Sequence, residues 1–401
     1  MDATILEVSD RGLYCRAGDF FIDPWRPVDR AVLTHAHADH AAAGCQRYLT
    51  TPQGCFPLRV RLGGQAVIDT LRLGESLSVG RARVSLHPAG HILGSAQVRV
   101  EVAGQVAVVS GDYKTGDDDA TCAPFEPIRC HLFISESTFA LPIYRWRPQA
   151  EVFDAINAWW RANRDQGRAC LLYGYALGKA QRLLSGLDAS IGPIVLHGSI
   201  ATLTQAYRDA GVILPPTTRV SDHPPGFDYG KAGAIVLAPP SAHGTPWTRR
   251  FGETQSAFAS GWMTIRGARR RRGVDRGFVL SDHADWPGLL EAIDATGAET
   301  VALTHGYAAV LARHLAQQGR NAVVLATAYR GEEGAVEPAY DQELDPAPPN
   351  NGVSVPSSIE IGSVVDQTGT EPDASRNPLP ARSCRSARAS IERPAGEGKI
   401  A

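Results

Sequence analysis

Three imidazoles and a carboxylate fall within six residues in the run Thr34-His35-Ala36-His37-Ala38-Asp39-His40. Neutral imidazole and carboxylate without thiolate form a donor set suited to zinc or a similar borderline divalent ion. The preceding Arg30-Ala31-Val32-Leu33-Thr34 predicts a short buried strand. If it runs on, His35 and His37 project to one side at the two-residue period and grip one metal. Asp39 and His40 then fall in a strand-to-helix turn before Ala41-Ala42-Ala43, aimed at a second position a few ångströms away. The competing reading is a surface histidine cluster that binds nothing.

More residues of the right type follow short β-type runs. Asp23 ends Phe20-Phe21-Ile22, His91 lies in Pro88-Ala89-Gly90-His91-Ile92-Leu93-Gly94-Ser95, and Asp112 lies in Val109-Ser110-Gly111-Asp112-Tyr113. A third imidazole would complete one metal's shell, and a carboxylate at a strand end can bridge two cations. Each alone reads as a structural residue; behind the histidine run they read as ligands. Glu136 closes Ile134-Ser135-Glu136. His283 and His305 end the runs Phe278 to Asp282 and Val301 to Thr304.

The elements that must position these residues change character along the chain. From Leu6 to about Pro127 short strands are broken by Gly, Pro and Asp. From Glu151 helix and strand alternate through Ala169 to Tyr173, Gly178 to Leu187, Ile194 to His197 and Ala234 to Ala238, which predicts a compact α/β unit with a parallel sheet. Gly174-Tyr175-Ala176-Leu177-Gly178-Lys179-Ala180 has one residue too few between its glycines for a nucleotide phosphate loop and Ala where Ser or Thr is required. Lys179 at a helix N-terminus remains a candidate contact to a backbone phosphate, against the alternative of a plain surface lysine. Arg266 to Arg276 carries six arginines, at 266, 269, 270, 271, 272 and 276, with Asp275 as its single acid. It reads either as a solvated loop or as a rail for a nucleic-acid backbone, with Arg269, Arg270, Arg271 and Arg272 as the contacts. Past about Val336 the chain is rich in Pro, Ser, Asn and Gly without apolar periodicity, which predicts a disordered tail.

The 401 residues are 43% hydrophobic and 20% charged, enough for a substantial core and two globular units. A net charge of −2 announces no polyanion partner, so such a site must be local. The four lysines (114, 179, 231, 399) among 40 basic residues fit an arginine-biased, GC-rich genome as readily as phosphate binding. Seven scattered cysteines, never spaced Cys-x-x-Cys, argue against a disulfide framework and a thiolate zinc site. With no signal-like N-terminus and no run of eighteen apolar residues, a cytoplasmic location without membrane contact is expected.

The ordered set of motifs resembles the metallo-β-lactamase fold of the β-CASP nuclease group, which includes the cleavage-and-polyadenylation endonuclease. The His-x-His-x-Asp-His run, His91 and Asp112 resemble the superfamily's ligand motifs, and Glu136, His283 and His305 resemble the group's additional motifs. Closer similarity is to the bacterial ligase-associated exonucleases. It is carried by Gly12 to Cys15, Phe21 to Arg30, Leu141-Pro142-Ile143-Tyr144-Arg145-Trp146 and Arg269 through Trp286.

The resemblance implies an α/β protein, a metallo-β-lactamase αββα sandwich interrupted by an inserted α/β β-CASP cap. Residues 1–145 and 273–335 would form the two parts of the first domain, 146–272 the cap and 336–401 the tail. It implies two divalent ions, zinc or alternatively manganese, one held by His35, His37 and His91, the other by Asp39, His40 and His305, with Asp112 bridging. Two cations about 3.5–4 Å apart bring a shared water toward pKa ~7 for in-line attack on a phosphodiester. His283, held by Glu136, would protonate the leaving oxygen, and Asp23 would orient a ligand imidazole from behind. The implied activity is a DNA exonuclease in repair. Its partners would be single-stranded DNA or DNA ends, a DNA ligase and a helicase-like protein.

Within the wider group, DNA-acting eukaryotic members tend to carry valine where His305 stands and RNA-processing members histidine, so an RNA-processing nuclease is the principal alternative. A small-molecule hydrolase shares the first motifs, and a non-catalytic repair scaffold would lack ligands that this chain retains.

Overall fold

The computed structural model describes residues 5–116 and 119–327, apart from the side chains of residues 268, 269 and 271. The tail expected beyond 336 lies outside the described residues.

Three sheets organise the described chain. The first takes six strands in sequence order: Glu7–Ser9, Gly12–Cys15, Phe20–Ile22, Arg30–Val32, Arg47–Thr50 and Ile68–Thr70. The last four are mutually parallel. The second sheet has the spatial order Asn321–Val324, Thr300–Thr304, Leu132–Glu136, Gln105–Val109, Ala96–Val102, Ala82–Pro88 and Ser76–Val79. Its first four strands are parallel and the remainder antiparallel.

Strand periodicity explains why these two sheets pack together. On Gln105–Val109, Ala107 and Val109 enter a core shared with Leu13, Phe20, Ile22 and Val32 of the first sheet. Val106 and Val108 turn the other way, onto the apolar faces of helices Trp286–Thr296 and Ala308–Gln317. Leu132 and Ile134 against Phe133, and Ala302 against Val301 and Leu303, repeat the division. The register Ala107↔Leu132 and Ile134↔Ala302 keeps like faces together. Each large apolar side chain buried this way contributes about 1.5–3 kcal/mol, so a one-residue slip would be costly.

The third sheet is wholly parallel, in the order Thr218–Arg219, Ile194–Leu196, Ile235–Ala238, Ala169–Tyr173, Thr254–Ala259, Arg276–Phe278. Helices Gln149–Arg164, Lys179–Ser185 and Gly198–Asp209 pack on it through Trp160, Leu183 and Ile200. The Arg276–Phe278 strand pairs with Thr254–Ala259, so the third sheet includes residues on both sides of position 272. The arginine run is a helix, Arg266–Arg272, closed by Gly273 in the left-handed conformation.

Because Ala82–Pro88, Gln105–Val109, Leu132–Glu136 and Thr300–Thr304 run in one direction, the residues that follow them emerge at one end of the second sheet. Residues after Phe20–Ile22 and Arg30–Val32 emerge together from the first.

Candidate metal centre

Two of the local expectations fail in an informative way. The strand carrying the histidine run stops at Val32 and no helix follows His40. Asp23 causes the first departure: its carboxylate accepts from the Thr34 N–H (2.8 Å) and hydroxyl (2.5 Å), drawing the chain off the ladder. The second follows from length, since three alanines before Gly44, at φ 89°, are too few to nucleate a helix. The His40 and Ala41 N–H groups instead close a turn on the His37 carbonyl, at 3.2 and 2.9 Å.

The turn still brings the ligand types together. One cluster comprises His35, His37, His91 and Asp112, another Asp39, His40 and His305, and a third Asp112, Glu136 and His283, with candidate ligand atoms in each cluster lying within 4.8 Å of one another. His37 Nδ1 is 3.1 Å from both His35 Nε2 and His91 Nε2. Asp112 spans the first two clusters: Oδ2 is 3.5 Å from His35 Nε2 and 3.7 Å from His91 Nε2, while Oδ1 is 3.6 Å from His40 Nε2. Gly111 permits this approach, because at its φ of 57° a Cβ would stand 2.5 Å from the Thr34 side chain.

Behind the ligand atoms, each ring is held from its other side. Asp23 Oδ2 meets His40 Nδ1 at 2.7 Å. The Thr34 hydroxyl lies 3.0 Å from His35 Nδ1, and the Thr304 hydroxyl 2.8 Å from His305 Nδ1. His37 Nε2 faces the Leu177 carbonyl at 3.3 Å and His91 Nδ1 the Asp282 carbonyl at 2.9 Å. Such contacts fix the tautomer and would aim the opposite nitrogen at a bound metal. Asp23 and His305 both hold positive φ, 43° and 61°, a strained geometry for residues other than glycine.

The electrostatics fit a cation. Burial lowers the pKa of His35 and His91 far below the ordinary value and that of His37 to about 3. His305 is lowered to about 4 by burial and by His40. These four rings are therefore held neutral, the form in which imidazole can ligate a metal. Burial also opposes charge on His40, but Asp39, Asp112 and Asp23 outweigh it and raise its pKa to about 10. Burial raises Asp112 to about 7 against the pull of His40. Asp39 Oδ1 and Asp112 Oδ1 are buried without a hydrogen-bond partner. Unpaired buried carboxylate oxygens are costly, and metal coordination would satisfy them.

His283 differs from the others. Its Nδ1 is 2.9 Å from both oxygens of buried Glu136, and its side chain is 22% exposed. Burial alone would lower its pKa, yet Glu136 and then Asp112 raise it to about 9. Glu136 also accepts the Tyr113 N–H. Trp146 donates its indole N–H to the His283 carbonyl at 2.8 Å, so the segment 141–146 braces this histidine.

The expected substrate contacts divide. Arg270 is exposed, and the Arg272 guanidinium lies 4.4 Å from the Phe258 ring centre. The side chains of Arg269 and Arg271 fall outside the described residues. Lys179 is not at the surface: it is 3% exposed and lies 2.9 Å from Asp282 Oδ1. Residues unforeseen from the sequence include Thr34, Thr304, Leu177, Arg182 and Asp282. The repeated dipeptide Thr-His at 34–35 and 304–305, and the position of Asp282 directly before His283, are the signals that point to three of them.

The geometry defines a buried, histidine- and carboxylate-rich site for divalent metal. Over 356 residues the chain is 31% identical to a probable DNA ligase of Opitutus terrae, a match covering 88% of this chain and 33% of the ligase. It is 32% identical over 122 residues to cleavage and polyadenylation specificity factor 73 of Drosophila melanogaster, covering 30% of this chain and 18% of that protein. It is also 30% identical over 122 residues to endoribonuclease YSH1 of Yarrowia lipolytica, covering 30% and 14%. The chain spans a third or less of these relatives. No family model matches it. The similarities support kinship with the β-CASP metallo-β-lactamase nucleases. Among the described residues no helix is long and apolar enough to cross a membrane.

Proposed function

We propose that this protein is a metal-dependent exonuclease that hydrolyses phosphodiester bonds of single-stranded DNA or DNA ends, in repair beside a DNA ligase and a helicase-like protein. In this reading its first two sheets with their helices form the αββα sandwich, and the parallel unit forms the cap over the site. The observation that carries the reading is the placement of a charged, carboxylate-held His283 beside Asp112, on the rim of the histidine clusters.

His35, His37 and His91 would hold one divalent ion, Asp39, His40 and His305 a second, and Asp112 both. When bound, zinc or manganese ions supply Lewis acidity toward phosphoryl oxygens and bring the pKa of water toward ~7. The chain's own residues do the rest. Asp23 and Thr34 keep His40 and His35 in ligand tautomers. Glu136 keeps a proton on His283, which donates it to the departing sugar oxygen. Arg266 and Arg270, exposed on the helix Arg266–Arg272, meet backbone phosphates.

DNA is favoured by the length of the match to the protein named a DNA ligase. An RNA-processing reading is favoured instead by relatives named endoribonucleases over 122 residues. Incubation of end-labelled single-stranded DNA and the same sequence as RNA with the protein and Mn2+ or Zn2+, beside an Asp112→Ala control, separates the two. Stepwise shortening of DNA, lost in the control, is expected. Preferential cleavage of RNA would overturn the DNA assignment.

A further inference from the structure

Against His91 of the first cluster lies a group of buried charges that the chemistry above does not use. Lys179 Nζ and Arg182 Nε lie 2.9 and 2.7 Å from Asp282 Oδ1, and Arg182 Nη2 lies 2.7 Å from Asp119 Oδ2. The side chains of Lys179, Arg182, Asp282 and Asp119 are 4%, 1%, 6% and 8% exposed. Two cations and two anions thus neutralise one another out of water. Such a group rarely adds stability over apolar packing of equal volume, but removing one member is severely destabilising. A role in specifying geometry accounts for its presence better than a role in stability.

Its neighbours point to the geometry it specifies. Arg182 Nη2 also donates to the carbonyl of His91 at 3.0 Å, while the Asp282 carbonyl receives the His91 ring. His91 is therefore held at its backbone by one member of the group and at its ring by another. Leu177, two residues before Lys179, presents its carbonyl to His37. Arg182 and Lys179 belong to the helix Lys179–Ser185 of the third-sheet unit, whereas Asp282 leads directly into His283.

We infer that Arg182, Asp282 and Lys179 are positioning residues through which the third-sheet unit sets His91 and His37, making the first metal cluster dependent on that unit while the second is independent of it. His40 and His305 are instead held at Nδ1 by Asp23 and Thr304, which lie at the ends of strands of the first and second sheets. The inference rests on the metal-binding part of the proposed function and not on the substrate.

Cobalt(II) alone, titrated into the full chain and followed by its visible absorption bands, tests it without nucleic acid. In a His305→Ala background the signal reports the first cluster, and in a His35→Ala background the second. Arg182→Met and Asp282→Asn should weaken the first cluster about 10- to 100-fold and leave the second within about twofold. Arg182→Lys, which preserves charge but loses the forked reach to both Asp119 and the His91 carbonyl, should fall between. Should Arg182→Met fail to fold, as judged by its unfolding transition, Asp282→Asn and Arg182→Lys decide the matter. Wild-type cobalt affinity of the first cluster in folded variants, or equal weakening of both clusters, overturns the inference. A wild-type protein that binds cobalt but cleaves neither DNA nor RNA would overturn the nuclease reading and leave this one standing.

Discussion

Asp23 Oδ2 lies 2.7 Å from His40 Nδ1, and the same carboxylate receives both the N–H and the hydroxyl of Thr34. Since the Thr34 hydroxyl also reaches His35, one buried carboxylate orients a ring in each of the two histidine clusters. Asp23→Asn keeps the shape but offers an amide that can donate to His40 Nδ1, turning the ring's proton toward the metal side. Loss of divalent-metal affinity by about 10- to 100-fold is expected, read by competition with a chromophoric chelator. Unchanged affinity would remove Asp23 from the metal centre.

That relationship was only partly legible in the sequence. Asp23 stands out as an acid closing a strand, but its hold on Thr34 does not, and it is this hold that ends the Arg30–Val32 strand early. The division of faces on Gln105–Val109 was not legible, because Val106 and Val108 differ from Ala107 and Val109 by the core they enter and not by composition. The burial of Lys179 was not legible for a different reason. Its partner Asp282 lies 103 residues away, and no local pattern reports burial of a cation by a distant anion. The arginine run was read as a loop or a rail because its interest lay in charge; four consecutive arginines are also good helix formers, and they form the end of a short helix.

His283→Ala and Glu136→Gln should retain metal stoichiometry and lose turnover by about 10²- to 10⁴-fold, the usual worth of a positioned proton donor. The deficit should shrink on a phosphodiester with a nitrophenolate leaving group, which departs without a proton. Because His283, Glu136 and Asp112 also lie within ligand distance of one another, metal content is the deciding readout. A variant that loses an ion would reassign His283 as a ligand.

The metal-free protein should lose stability between pH 7 and 8. Folded His283 and His40 have pKa values raised to about 9 and about 10, against about 6.5 unfolded. Their contribution is complete below the unfolded value and is lost as pH rises through the folded values. In this window the native state holds nearly two more protons at these rings than the unfolded chain, and the slope is roughly 2 kcal/mol per pH unit. Above pH 8 Lys179, lowered to about 8 by burial despite Asp282, acts in the opposite sense and flattens the curve. Denaturant midpoints in chelator at pH 7.0, 7.5 and 8.0 check this, and a midpoint that rises with pH contradicts it. Loading metal at pH 7 should expel about one proton from His40, visible as a buffer-dependent binding enthalpy.

The helix Arg266–Arg272 is the strongest basic feature of the described chain, with Arg266 and Arg270 exposed on it. If it carries a nucleic-acid backbone, its contribution is counterion release, which depends on salt and not on base identity. Arg266→Ala and Arg270→Ala should each raise KM for single-stranded DNA severalfold with kcat little changed. Each should also reduce the slope of log affinity against log salt by about 0.7, the value for one phosphate on a single strand. Arg272 is half-buried and packs over Phe258, so Arg272→Ala should lower the unfolding midpoint and alter the salt slope less. The reverse ranking, with Arg272 dominating the slope and Arg266 and Arg270 silent, would place the strand on another face of the protein.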